Sequence, residues 1–403
     1  MNYRREIDGI RALAVIPVIL FHAGFSWFSG GYVGVDVFFV ISGYLITGIV
    51  TSDIARGTFS IANFYERRIR RILPALFLVV VVCAPVAFWV LLPADLKEFG
   101  QSLIAVATFS SNVFFWSQSG YFHGAAELKP LLHTWSLSVE EQFYVVFPPL
   151  LLLMWRWGRK WVVTVLLAIA MTSLLLAEWG ALNKPIATFF LLPTRAWELL
   201  LGSLAAFYIA NESRQQLTLT QNNILASIGF IAVAYAVFGF DAKTTFPGLH
   251  ALVPTLGTAL MIISARPETW VGKFLCQPAM VSVGLISYSA YLWHQPLFSF
   301  ARHLGLTYSV TLTLGALAVL SLVLGYLSWR YVETPFRRNR VISRNRIFLF
   351  AGCGSLAILL TGLSGHMLNG FIDRLNPEDR YLASISPGEQ GVYVRTRFDA
   401  LHH

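Results

Sequence analysis

The chain has 403 residues, of which 56% are hydrophobic and only 13% charged, and its mean hydropathy is +0.62. Soluble globular domains carry about 25% charged residues, so this composition excludes a soluble enzyme and indicates a polytopic membrane protein. The net charge of +9 does not call for nucleic acid, because cytoplasmic loops of membrane proteins collect Lys and Arg.

The first apolar segment holds two ionisable residues, Arg11 and His22, with Ala12 to Phe21 apolar between them. Ionisable groups inside a bilayer are costly, so they are expected to face a cavity or a partner. On a helix, eleven positions turn through about 1100°, roughly 20° from whole turns, and climb about 16 Å. Both side chains therefore point to one face, about half a hydrocarbon core apart. Pro17 lies between them and is a place where the helix can kink. The plainer alternative makes Arg11 a marker of the cytoplasmic end and His22 a satisfied interior histidine.

Eleven apolar stretches follow in order, near 12–28, 33–50, 73–92, 136–155, 161–178, 187–209, 224–239, 250–265, 281–301, 307–328 and 346–366. A further candidate, 99–117, is rich in Ser, Thr, Gln and Asn. Charge decides whether it crosses. If it does not, the N-terminal side carries 20 Lys and Arg against five in the opposite short loops (Lys97, Lys129, Lys184, Lys243 and Arg302). If it does, the split becomes 12 against 13. The asymmetric split is expected of a real topology. The expected fold is thus an all-α polytopic transmembrane bundle of about 11 spans, with a cytoplasmic N-terminus and 99–117 as an interfacial or re-entrant helix. The first apolar run is expected to act as an anchor rather than a cleaved leader. Cys83, Cys276 and Cys353 stand singly in apolar segments, so neither a disulfide framework nor a metal site is expected.

Seven local strings recur in an informative order. They are Asp8-Gly9-Ile10-Arg11-Ala12-Leu13 with His22, the run from Gly34 to Tyr44 (GVDVFFVISGY), the run from Phe64 to Pro74 (FYERRIRRILP), and the run from Leu132 to Tyr144 (LHTWSLSVEEQFY). The others are Arg195-Ala196-Trp197-Glu198, Tyr291-Leu292-Trp293-His294-Gln295-Pro296 and Val332-Glu333-Thr334-Pro335. Together, from Met1 to about Arg338, they resemble the acyltransferase-3 family of integral membrane O-acyltransferases.

That resemblance implies a bacterial inner-membrane enzyme using acetyl-CoA as donor substrate, with no bound cofactor. It implies an acceptor among envelope polysaccharides or lipid-linked glycans, O-antigen and lipopolysaccharide foremost. Members of this type commonly continue, after an eleventh span, into a periplasmic SGNH-type domain. Here the expected layout is 1–340 as the acyltransferase unit, 341–371 as an additional span and 372–403 as a periplasmic tail or linker. No Gly-Asp-Ser nucleophile string precedes His403, and the chain is expected to be the membrane part of a longer protein.

With the resemblance in hand, the basic loop after span two acquires a role. Arg67 and Arg70 are three apart, as are Arg68 and Arg71, so two arginine pairs project from adjacent faces of one helical turn. Guanidinium forks match phosphate oxygens, and CoA carries a 3′-phosphate and a pyrophosphate. These four residues, with Arg11 at the cytoplasmic mouth, are the expected donor site. The alternative is a positive-inside signal or a surface for membrane lipid headgroups. Glu333 is expected to pair with one of these loop arginines in a structural role.

His22, toward the outer half of span one, is the expected general base, since imidazole titrates near operating pH. It would take the proton of a sugar hydroxyl as that oxygen attacks the thioester. A carboxylate is expected to orient it, with Asp36 first, then Glu140 or Glu141, of which adjacency lets only one face the cavity fully. Arg195 and Glu198, three apart, are expected to pair with each other or to line the acceptor cleft. His133 is expected in an exposed outer loop, and His294 as a packing or cavity-lining residue. Most of Trp116, Tyr121, Trp135, Tyr144 and Trp293 are expected in an interfacial belt. Two other readings remain: an exporter of a small polar metabolite, or a succinyl or longer-acyl transferase acting on glucan or lipid.

Overall fold

The computed structural model describes residues 3–119, 125–211, 216–306, 310–338, 342–377 and 380. Among these residues there are only helices, turns and loops, and no strand. In chain order the helices are α1 (Arg5–His22), α2 (Gly34–Ala55), α3 (Ile61–Val90), α4 (Pro93–Ala107), α5 (Ser111–Ser117), α6 (Thr134–Trp155), α7 (Arg159–Asn183) and α8 (Pro185–Phe190). Then follow α9 (Leu192–Ile209), α10 (Leu219–Gly239), α11 (Leu252–Ser264), α12 (Trp270–Leu275), α13 (Pro278–His303), α14 (Val310–Ser328), α15 (Thr334–Arg338) and α16 (Arg344–Met367). This is an all-α polytopic bundle. Most of the tail expected at 372–403, and Tyr121, lie outside the described residues.

Among the described residues, seven helices are long and apolar enough to cross a membrane: α2, α3, α6, α7, α10, α14 with its continuation through α15, and α16. The outer ones present apolar side chains outward; only 28% of the apolar window of α7 and 22% of that of α16 is buried within the protein. Helices satisfy their own backbone groups, which lets such faces meet lipid. The inner helices α1, α9 and α13 carry polar residues instead, α1 and α13 packing on each other and α9 packing on α2. Asp8, Arg195, Glu198, Ser287, Ser289, His294, Gln295 and Ser299 are all buried.

The segment 99–117 is broken. It falls across α4 and α5, with Phe109 between them at a positive φ of 51°. At about 1.5 Å per residue, neither helix approaches the roughly 30 Å hydrocarbon core. The break is held by α6. Gln142 Nε2 donates to the Phe109 carbonyl (3.0 Å), and the Ser111 N–H donates to Ser138 Oγ (3.1 Å). The polar residues that set this stretch apart in the sequence are therefore the ones that satisfy its interruption.

Two glycines bring α2 and α9 together. A Cβ on Gly43 would lie 1.7 Å from the Leu199 carbonyl oxygen, and one on Gly202 would lie 1.9 Å from that of Val40. Small residues let membrane helices touch backbone to backbone. Asp36 and Arg195 each stand about two turns before their helix's glycine, so the same contact brings them level. Their ion pair is 2.8 Å long, and Glu198 reaches the same guanidinium at 3.2 Å.

Candidate active site

A cavity opens inside the bundle. Arg11, Arg68 and Arg71 line one part of it, while Ser136, Phe38 and Tyr291 line another. Between them stand Ser42, Glu140 and Tyr144. Helix periodicity explains which side chains reach it. On α6, Ser136, Glu140 and Tyr144 are four apart and share one face, and Glu141, about 100° away, does not line the cavity.

The four loop arginines divide into two kinds. Arg68 is 8% exposed, and its guanidinium lies over the rings of Phe64 (5.8 Å) and Tyr144 (5.9 Å). Arg68 and Arg71 reach the cavity, whereas Arg67 pairs with Asp53 (2.8 Å) and Arg70 with Glu66 (2.9 Å). Arg11 is held by Asp8 at 3.3 Å, and the Tyr3 hydroxyl donates to the same carboxylate at 2.7 Å. Glu333 pairs with Arg337 at 3.0 Å rather than with an arginine of the loop, and accepts from Ser289.

The expected carboxylate partner of His22 is not there. Asp36 turns away to Arg195, which sits among Phe39, Trp135, Phe189 and Phe246 at 5.3–5.8 Å and is 1% exposed. Arg195 and Glu198 do pair, but within this sealed cluster and not in an open cleft. Glu140 accepts from Tyr144 inside the cavity (3.5 Å), with Ser42 hydrogen-bonded to the same tyrosine hydroxyl. Position along a span sets depth but not azimuth, and helix packing sets azimuth.

Histidines surround His22 instead. Its ring meets that of His294 edge to face with centroids 5.1 Å apart, and His294 meets His133 at 5.6 Å. His133 is only 4% exposed, which corrects the outer-loop expectation. The short segment carrying it is tied to α13: Gln295 donates to the Lys129 carbonyl, and Ser299 to that of Leu128. Arg302 closes this end, donating to the His22 carbonyl at 2.7 Å and pairing with Glu127 at 3.3 Å.

Backbone contacts set two of the three tautomers. His22 Nδ1 lies 2.8 Å from the Val18 carbonyl. A carbonyl only accepts, so Nδ1 carries the proton and Nε2 keeps its lone pair. His294 Nδ1 meets the Tyr291 carbonyl in the same way. His294 Nε2 has no hydrogen-bond partner among the described residues. Among those residues no group of three or more His, Cys, Asp and Glu side chains is placed to hold a metal ion. The arrangement therefore offers basic imidazole nitrogens, in protein, next to a cavity whose other part is cationic.

Sequence reasoning did not join His133 and His294 to His22 and did not single out Phe38, Ser42, Ser136 or Tyr291. A signal existed for the histidines: with alternating spans, all three fall toward the same side of the membrane. The aromatic belt also needs correction. Trp116 is 40% exposed, but Trp135, Tyr144 and Trp293 are buried, Trp293 donating to Ser328 Oγ at 2.7 Å.

The chain is 29% identical over 363 residues to a "Putative O-acetyltransferase" of Staphylococcus aureus strain MSSA476, covering 86% of this chain and 59% of that protein. It is 28% identical over 350 residues to "O-acetyltransferase OatA" of Staphylococcus aureus strain NCTC 8325 / PS 47, covering 84% of this chain and 58% of that protein. The chain thus spans about six-tenths of the length of these relatives. No solved structure matches it. Residues 4–330 match the Acyl_transf_3 acyltransferase domain, and the chain belongs to that family of membrane acyltransferases.

Proposed function

We propose that the chain transfers an acetyl group from acetyl-CoA, entering from the cytoplasmic side, to a hydroxyl of a cell-envelope glycan at the opposite end of the bundle. The observation that carries this reading is the single cavity joining Arg11, Arg68 and Arg71 to Ser136 and Tyr291, beside the histidine cluster. The O-acetyltransferase names of the two relatives agree with it. The basic end suits the CoA phosphates, and the long, thin pantetheine arm suits the narrow polar strip of Ser42, Glu140 and Tyr144.

In the transfer, His22 Nε2 accepts the proton of the glycan hydroxyl as that oxygen attacks the thioester carbonyl. The C–O bond forms, the C–S bond breaks, and the proton passes from His22 to the departing thiolate. The products are an O-acetyl ester and free CoA, with no net proton change. A backbone carbonyl, that of Val18, takes the orienting role that a carboxylate plays in other histidine bases. The acceptor is of the envelope-glycan class, O-antigen or lipopolysaccharide foremost, and the setting is the bacterial inner membrane with the N-terminus in the cytoplasm.

The test is CoA release from acetyl-CoA by membranes bearing the full chain, with envelope glycan supplied. Release that depends on glycan supports the reading. Absence of release with every acceptor, at verified expression, favours transport and overturns it.

A further inference from the structure

The three histidines flank the cavity but do not line it; Phe38 and Tyr291 do, and both stand on the histidine side. The Phe38 and Tyr291 rings are tilted against each other with centroids 6.3 Å apart, which is direct contact. Tyr291 in turn touches His133 and His294 (centroids 5.5 and 5.0 Å), while Phe38 packs on the cluster that contains Val15 and Ile19 of α1, about two turns and one turn below His22. An acyl group moving from the arginine side toward His22 must pass this ring pair.

The two leaves differ in freedom. The Tyr291 hydroxyl donates to the His133 carbonyl (3.1 Å) and meets Ser136 Oγ at 2.8 Å, so its ring is pinned at the tip. Phe38 has no polar anchor, is only partly buried, and is held by apolar contacts alone. Rotation about its side-chain bonds is the small motion that opens the passage.

We propose that Phe38, closing against the fixed Tyr291, is the residue that limits the acyl group to acetyl size. Each methylene added to the acyl chain must fit between these rings, of which Tyr291 is fixed. The proposal rests on the donor reading above and adds to it the chemical class of acyl group accepted.

The experiment uses membrane vesicles containing the full chain, supplied with acetyl-CoA or butyryl-CoA, and mass spectrometry of O-acyl groups released from the glycan. The wild type is expected to prefer acetyl strongly. In Phe38→Ala the butyryl-to-acetyl ratio is expected to rise by about tenfold or more, the discrimination one or two methylenes carry in an apolar pocket. Phe38→Leu retains an apolar side chain for packing and is expected to shift the ratio in the same direction, so a folding failure of the alanine variant leaves the question open to the second. An unchanged ratio in a folded variant, or a wild type that transfers butyryl as readily as acetyl, overturns the gate. Consumption of neither thioester by the wild type overturns the functional reading beneath it, and is told apart from the other outcomes by the missing acetyl signal.

Discussion

The rings of His22 and His294 meet edge to face, 5.1 Å between centroids, and so join α1 to α13 at the outer part of the bundle. Each ring spends its Nδ1 proton on a carbonyl of its own helix, that of Val18 for His22 and that of Tyr291 for His294. Two lone pairs are thereby kept on Nε2 atoms in one small region. His294→Ala removes the ring that packs against the proposed base, His22, and loosens its position. Acetyl transfer is expected to fall about ten- to a hundredfold, since small misplacements in a reacting geometry cost that much. Turnover with glycan at saturating acetyl-CoA is the measurement, and unchanged turnover would show that the contact is packing only.

The arginines give a contrast within one helical turn. Arg68 and Arg71 reach the cavity, whereas Arg67 is paired with Asp53 outside it. Loss of a hydrogen bond to a charged phosphate costs about 1.5–3 kcal/mol, so Arg68→Ala and Arg71→Ala are each expected to raise the acetyl-CoA KM about ten- to a hundredfold. Arg67→Ala is expected to leave KM within about twofold, because a surface ion pair contributes little. Equal effects at all three positions would point to a general electrostatic field instead of a site.

The Asp36–Arg195–Glu198 cluster predicts an asymmetry in stability. All three side chains are at most 1% exposed. Arg195→Met leaves two carboxylates facing each other without a cation, a kind of loss that typically costs about 3–5 kcal/mol. Asp36→Asn keeps the guanidinium paired with Glu198 and is expected to cost clearly less. Thermal unfolding of the detergent-solubilised protein ranks the two variants, and a reversed order would remove the cluster as the lock between α2 and α9.

Asp95, near the start of α4, carries a pH signature. Burial lifts its carboxyl above the usual carboxylate range, against the pull of His303 and Lys129. A folded state that holds this proton more tightly than the unfolded chain gains stability as pH falls through the folded pKa. Asp95→Asn is therefore expected to flatten that dependence and to raise the unfolding temperature near pH 8 more than at lower pH. Parallel melting curves for variant and wild type across that range would contradict it.

How legible was this site in the amino-acid string? The relation between Arg11 and His22 was readable because it lies on one helix, where about 100° per residue fixes both face and rise. The break at Phe109 was foreshadowed by polar residues that no lipid-exposed helix would carry. The partners of His22 were not readable. Asp36 matches its depth, but two glycine contacts with α9 turn it to Arg195, and such contacts join residues 159 positions apart. His133 resembled a loop residue because its burial comes from α13, through Gln295 and Ser299, and not from its own neighbours. Trp135 and Trp293 fit an interfacial belt by position along their spans, yet they face inward, which position alone does not specify.

The proposed role of His22 Nε2 is to take the proton of the acceptor hydroxyl. Its most direct test is the O-acetyl content of envelope glycan in cells bearing His22→Ala, set against wild type at equal membrane abundance. Removal of a general base typically lowers rate about 10²–10⁴-fold, so O-acetylation is predicted to drop to background while acetyl-CoA binding persists. Full acetylation in the His22→Ala strain would contradict the account.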